Sequence, residues 1–117
     1  MTRLWLGVDP AGLCDQHLLG EHSEMHQEVG TWLRHPHGEA VVEGHVSKLQ
    51  VVPGEIRERH DALAEEMTRR EFNHNSPLED FDAGEMPDVA GATLDEIRDL
   101  NRSDLDDRCN DCEAGAA

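Results

Sequence analysis

Apolar positions recur at helical spacing in three separate stretches of the chain. Leu18, Met25, Val29 and Trp32 follow one another at offsets of 7, 4 and 3, which lines them along one helix face. Asp9-Pro10 supplies a start, with Asp as N-cap and Pro in the first turn, so the first predicted helix runs from there to about Leu33. Ile56, Leu63 and Met67 make a second stripe, in a helix predicted from about Pro53 to Glu71 with Arg57, Arg59, Arg69 and Arg70 to its sides. Asn73 to Pro77 is rich in turn formers and stops it. Thr93 with Glu96 forms a capping box that opens a third helix, whose buried side is Leu94, Ile97, Leu105 and Cys109.

The stretches between these helices read as irregular. Residues 2–8 form a short extended start. Residues 34–53 are broken by Pro36, Gly38, Gly44 and Pro53, with room for one short helix around Glu39–Glu43. Residues 78–92 read as a loose acidic linker, and the chain shows no internal repeat. The expected fold is all-α, a compact single-domain bundle of about three main helices over residues 1–112, followed by a frayed Gly/Ala-rich tail at 113–117. A length of 117 residues suits one domain. No run approaches 18 apolar residues and no basic-then-apolar segment opens the chain. The expectation is therefore a cytoplasmic monomer with no membrane partner.

Charge changes the picture. The chain carries 26 Asp and Glu against 10 Lys and Arg, a net charge of −16. Few aromatics with high charge can mean disorder, but the acidic residues are spread along a chain that keeps its helical stripes. Nine of the ten basic residues are Arg and only Lys48 is Lys. A folded protein adapted to molar salt fits better, since the Debye length there is about 3 Å and self-repulsion is screened. The charge is also uneven. Residues 1–75 carry 13 acidic and 7 basic side chains, and residues 76–117 carry 13 and 3. A surface for a polyanion belongs in the first two-thirds.

Two sets of residues carry candidate chemistry. Cys14, His17, Glu21, Glu24 and Glu28 lie on one face of the first helix, beside its apolar stripe. Aligned polar residues over four turns form either a solvated face or a functional one. The second set is the cysteines. Cys109 and Cys112 are spaced C-x-x-C near the C-terminus, and Cys14 and His17 are spaced C-x-x-H. Together they make the ligand set of a Cys₃His zinc site, a structural brace between the first and last helices of a bundle with a thin core. His22 or His74 can replace His17 as the fourth ligand. The competing readings are a thiol redox pair, or a Cys14 that is simply a small buried hydrophobe.

The N-terminus adds a third feature. The chain begins Met1-Thr2-Arg3, and removal of Met1 before a small residue exposes the Thr2 α-amine. An α-amine has a pKa of about 7.7–8.0 against about 10.4 for Lys, so it is an amine nucleophile at neutral pH without burial. This triplet is followed by Asp15-Gln16-His17-Leu18-Leu19-Gly20-Glu21-His22-Ser23-Glu24, by Gly44-His45-Val46, and by Arg69-Arg70-Glu71-Phe72-Asn73. In these residues and their order, roughly residues 2–75 resemble the phage pyrimidine-dimer DNA glycosylase/AP lyase family.

The resemblance implies a compact, mostly helical domain and a specific chemistry. The Thr2 amine attacks C1′ of a deoxyribose, the damaged base leaves as an imine forms, and β-elimination nicks the strand. Glu24 takes the place of the essential carboxylate, Arg3 holds a phosphate or the base region, and His17 and His45 lie beside the DNA. The chain departs from the family at Ser23, where the family carries Arg, and at His26 or Gln27, where it carries another. The family's aromatic- and Lys-rich C-terminal tail is also missing, and the chain has no Tyr. The expected function is base-excision repair on damaged double-stranded DNA, at pyrimidine dimers or other damaged bases, with no cofactor for chemistry and a structural zinc. The alternatives are a catalytically inactive zinc-braced module that binds DNA or protein, and a plain interaction protein linked to stress or viruses.

Overall fold

The computed structural model describes residues 2–73 and 77–113. They contain four α-helices, α1 (Asp15–Arg34), α2 (Gly38–Ser47), α3 (Ile56–Arg69) and α4 (Leu94–Arg108), with one-turn 3-10 helices at Pro10–Gly12, Pro53–Glu55 and Ala83–Glu85. No strand occurs among the described residues. The all-α expectation stands, with four helices rather than three.

The apolar stripes face the core as expected. Leu18, Met25 and Val29 of α1 and Ile56, Leu63 and Met67 of α3 are buried, with Trp32 packed against them half-buried. Thr93 Oγ1 accepts from the Glu96 amide and Glu96 Oε1 accepts from the Thr93 amide, closing the capping box that starts α4. Residues 78–92 are less loose than expected: Met86 is buried, and Leu78, Phe81 and Val89 pack on the core.

Two helix boundaries differ from the sequence reading. The first helix is not continuous from Pro10. Asp9 caps a single 3-10 turn, and the chain is extended at Leu13 and Cys14 before α1 begins at Asp15. The backbone groups there have partners outside the helix. The Gly12 carbonyl accepts from the Glu113 amide at 2.7 Å, the Leu13 carbonyl accepts from Arg70 Nη2 at 2.7 Å, and the Cys14 amide donates to Cys112 Sγ at 3.2 Å. Glu113, the first residue of the expected frayed tail, is thereby tied down, and residues 114–117 lie outside the described residues.

The second difference is α2, which fills ten residues of a region expected to hold one short helix. Val42 and Val46, one turn apart, are its buried face. Gly38 lets α2 start hard against the end of α1, since a Cβ there would lie 2.4 Å from the Thr31 carbonyl oxygen. The helix stops where Leu49 turns left-handed. Arg70 anchors the far end of α3: it pairs with Asp15 and Glu66 and donates to the carbonyls of Pro10, Ala11 and Leu13.

The least regular part of the fold is its most buried segment. Leu4, Trp5, Leu6 and Val8 are buried with no sheet around them, and the chain turns at Leu6–Val8, where the Val8 amide donates to the Trp5 carbonyl at 3.1 Å. Side chains from α4 take the place of a neighbouring strand. Asn101, fully buried, donates through Nδ2 to the carbonyls of Leu4 at 3.1 Å and Leu6 at 3.0 Å. Its Oδ1 accepts from Arg3 Nε and Nη2. Arg102 Nε donates to the Gly7 carbonyl. Gly7 itself has φ +93 and touches the α4 backbone so closely that a Cβ would meet Arg98 Cβ at 2.7 Å.

Replacing Asn101 with Ala leaves two buried carbonyls and a buried guanidinium short of partners, each group costing about 1–3 kcal/mol. Asn101→Ala is expected to destabilise the fold by about 2–4 kcal/mol in urea unfolding, far more than an exposed α4 change such as Asp106→Ala.

Candidate functional site

The buried N-terminal segment sets the geometry of the site. Its amides meet the polar face of α1: the Arg3 amide donates to Glu24 Oε2 at 3.1 Å, and the Trp5 amide donates to Glu21. The Leu4 amide donates instead to the Gln50 carbonyl at 2.8 Å. One turn of α1 therefore presents Glu24 to the chain one residue beyond Thr2. Beside it a cavity of about 230 Å³ is lined by Trp5, Gln16, His17, Gly20, Glu21 and Glu24. Thr2 is half-buried and Glu24 half-exposed.

Glu21 and Glu24 share a face but not an environment. Glu21 is buried and held by a two-pronged contact from Arg59, Nε to Oε2 at 2.7 Å and Nη2 to Oε1 at 3.0 Å. Arg59 Nη1 also donates to the Val8 carbonyl at 2.7 Å. Burial pushes the Glu21 carboxyl up, and the Arg59 guanidinium works against that. Farther along α1, both oxygens of the buried Glu28 lie within 2.9 Å of His45 Nδ1. Burial raises the Glu28 carboxyl too, opposed by His45. The polar face of α1 is thus an interior face rather than a solvated one.

Arg3 is 6% exposed and its guanidinium is turned onto α4. Besides Asn101 it meets Asp104 at 2.7 Å, and its Cζ lies 4.4 Å from the Trp5 ring centre, a cation–π contact. Of the α3 arginines expected at the sides of the helix, Arg59 is instead buried. It sits three residues after Ile56 and four before Leu63, on the core stripe itself. Arg69 and Arg70 pair with Glu66, and Arg57 lies over the Phe81 ring. Asn101 and His60 also escaped the sequence reading. Asn101 lies four residues from both Ile97 and Leu105, and His60 four from Ile56, so both occupy core positions that polar residues disguise.

The cysteines and His17 converge at the start of α1. Cys14 Sγ lies 3.1 Å from His17 Nδ1 and 3.9 Å from Cys109 Sγ, and Cys112 Sγ lies 3.5 Å from His17 Nδ1. A tetrahedral zinc with Zn–S of about 2.3 Å and Zn–N of about 2.0–2.1 Å separates sulfur pairs by about 3.8 Å and sulfur–nitrogen pairs by about 3.5 Å. The four side chains fit that ion, and this set can hold a metal such as zinc. Burial pushes the Cys112 thiol up to about 12, so loading a metal would expel a proton there. His17 also lines the Glu24 cavity and meets Trp5 edge-on, which joins the two sites. Of the alternative fourth ligands, His22 lies in a different cluster with His26 and His60, and His74 lies outside the described residues.

A family model described as pyrimidine dimer DNA glycosylase matches residues 1–80. No curated protein and no solved structure matches the chain. The matched residues contain the N-terminal segment, Glu24 and the Glu21–Arg59 pair, and stop short of α4 and the two C-terminal cysteines. Among the described residues, no helix is long and apolar enough to cross a membrane.

Removing one partner of a buried ion pair strands the other charge, at about 3–5 kcal/mol, whereas replacing both with apolar groups costs much less. Arg59→Met is therefore expected to destabilise by about that amount in chemical unfolding. The double variant Glu21→Leu/Arg59→Met is expected to recover most of it, though it also frees the Trp5 amide and Val8 carbonyl.

Proposed function

The chain belongs to the pyrimidine dimer DNA glycosylase family, and on that premise we propose that it is a DNA glycosylase with AP lyase activity that works through the Thr2 α-amine. The observation that carries this reading is the Arg3 amide bonded to Glu24 at 3.1 Å. It brings a half-exposed carboxylate to the residue next to the nucleophile, at the edge of a cavity.

In this reading Met1 is removed and the Thr2 amine forms a bond to C1′ of the damaged nucleotide. The C1′–base bond breaks and the base leaves with a proton. The nitrogen loses its protons as the sugar ring opens, giving an imine. Removal of a C2′ proton then expels the 3′ phosphate and nicks the strand. Glu24 stabilises the positive charge that develops on the sugar, and accepts and returns the protons. The nucleotide must leave the base stack for the amine to reach C1′.

Arg3, His17 and His45 act through position. Each is engaged inside the fold, by Asn101 and Asp104, by the cysteine sulfurs and by Glu28 respectively. Arg3 thereby fixes the segment that ends in Thr2, His17 ties the cavity wall to the cysteine cluster, and His45 locks α2 onto α1. We assign zinc to Cys14, His17, Cys109 and Cys112, where it would brace α1 against the C-terminal segment. The acidic surface suits folding and DNA binding at high salt, where few phosphate contacts would be gained from Arg in any case. The protein is taken as a monomer acting on damaged double-stranded DNA in a reducing compartment that keeps its thiols free.

Incubation with an abasic-site duplex and borohydride at high KCl is expected to trap a covalent adduct. Glu24→Gln should slow its formation about 10²–10⁴-fold, and Thr2→Leu, which retains Met1, should abolish it. No adduct at any salt concentration would overturn both the glycosylase and lyase assignments; a protein that still binds damaged duplex would then be the inactive binding module instead. For the metal, elemental analysis should find one equivalent of zinc fewer in Cys112→Ser than in the wild type, and equal contents would remove the zinc assignment.

A further inference from the structure

We propose that His22, His26 and His60 form a second metal site, for a first-row divalent ion such as zinc, independent of both the cysteine cluster and the proposed glycosylase chemistry. His22 and His26 are one turn apart on α1 and His60 faces them from α3. The ligand atoms of all three lie within 4.8 Å of one another. His60 Nε2 and His26 Nε2 are 3.2 Å apart, close to the roughly 3.3 Å that a tetrahedral ion imposes on two nitrogens each about 2.0–2.1 Å away. The ring centres are 4.7, 5.0 and 5.0 Å apart. That is a near-equilateral triangle of converging rings rather than a stack.

The surroundings favour the ligand form of these rings. Asp61 Oδ1 lies 3.1 Å from His60 Nδ1. A carboxylate there holds the proton on Nδ1 and turns the Nε2 lone pair toward His26, the outer-shell arrangement that orients metal-binding imidazoles. His22 and His60 are buried, and His26 is half-exposed at the mouth of the cluster. Imidazoles suit zinc, copper, nickel and iron.

The ion has a route in. His26 lines an open cleft of about 720 Å³ together with Ser23, Gln27, Arg34 and Glu79. Three protein ligands leave one tetrahedral position for water on a four-coordinate ion. The site is distinct from the cysteine cluster. His22 lies five residues beyond His17, about 7.5 Å of rise and about 140° around α1. The two sites also differ in donors, one rich in thiolate and the other all imidazole.

The test is equilibrium dialysis of the full-length protein against micromolar Zn²⁺ at pH 7.5 and high KCl, followed by metal analysis. Wild type is expected to retain two equivalents. His26→Ala, a change at the half-exposed member, should retain one and bind the second at least tenfold more weakly, with helix content unchanged by circular dichroism. His60→Asn should behave the same way. Cys112→Ser should keep its remaining zinc, and X-ray absorption should show that ion with nitrogen and oxygen neighbours and no sulfur. A Cys112→Ser protein that retains no zinc, or a His26→Ala protein that retains as much as wild type, overturns the proposal.

Discussion

An irregular segment buried without a sheet is the constraint on which this fold turns. Residues 3–8 leave water with their backbone polar groups facing helices, and a helix has no spare backbone groups to offer along its length. The Leu4 amide reaches the Gln50 carbonyl and the Val8 amide the Trp5 carbonyl, and side chains meet others. Glu24 and Glu21 take the amides of Arg3 and Trp5, Asn101 serves the carbonyls of Leu4 and Leu6, and Arg102 and Arg59 serve those of Gly7 and Val8. This one requirement accounts for Arg3, Glu21, Arg59 and Asn101 among the buried polar residues, while Glu28 and Glu66 are held by His45 and by Arg69 and Arg70. It also fixes the position of the chain end: the segment that must be satisfied is the one that leads to Thr2.

The buried charges of Glu21, Arg59 and Arg3 follow from the same demand. Glu21 is placed for the Trp5 amide, and Arg59 balances it while reaching Val8. Arg3 needs Asn101 and Asp104. Most of the arginines are thus spent on internal partners or on nearby carboxylates, which leaves the net −16 largely unopposed at the surface. The neighbouring junction at the start of α1 has a thinner hold. There the C-terminal segment reaches back to the start of α1 through the Glu113 amide and Cys112, and the cysteine cluster sits where a metal would strengthen that junction.

Much of this was legible in the sequence where apolar periodicity was strong. The stripes of α1 and α3 and the Thr93–Glu96 box are local signals, and the structure keeps them. The Cys14, His17, Cys109 and Cys112 set was legible because ligand type and spacing carry the chemistry, and the fold brings the four together across 95 residues of chain. Three features were not legible for physical reasons. The helix α2 has only two buried valines one turn apart among Gly and His residues, too short a stripe to register. The break at Leu13 and Cys14 is imposed by distant partners, Arg70, Cys112 and Glu113. Asn101, Arg59 and His60 sit at core positions but are polar, so a pattern that equates core with apolar passes over them.

In the proposed mechanism the buried segment delivers the Thr2 amine to Glu24 as the reacting group. The most direct measurement is peptide mapping by mass spectrometry of the borohydride-reduced protein–DNA adduct. The chain has only one lysine, Lys48, so the competing amine is single and known. The expected product is a protein lacking Met1 with the sugar remnant on the Thr2 nitrogen. A remnant on Lys48, or an adduct formed while Met1 is still in place, would contradict it.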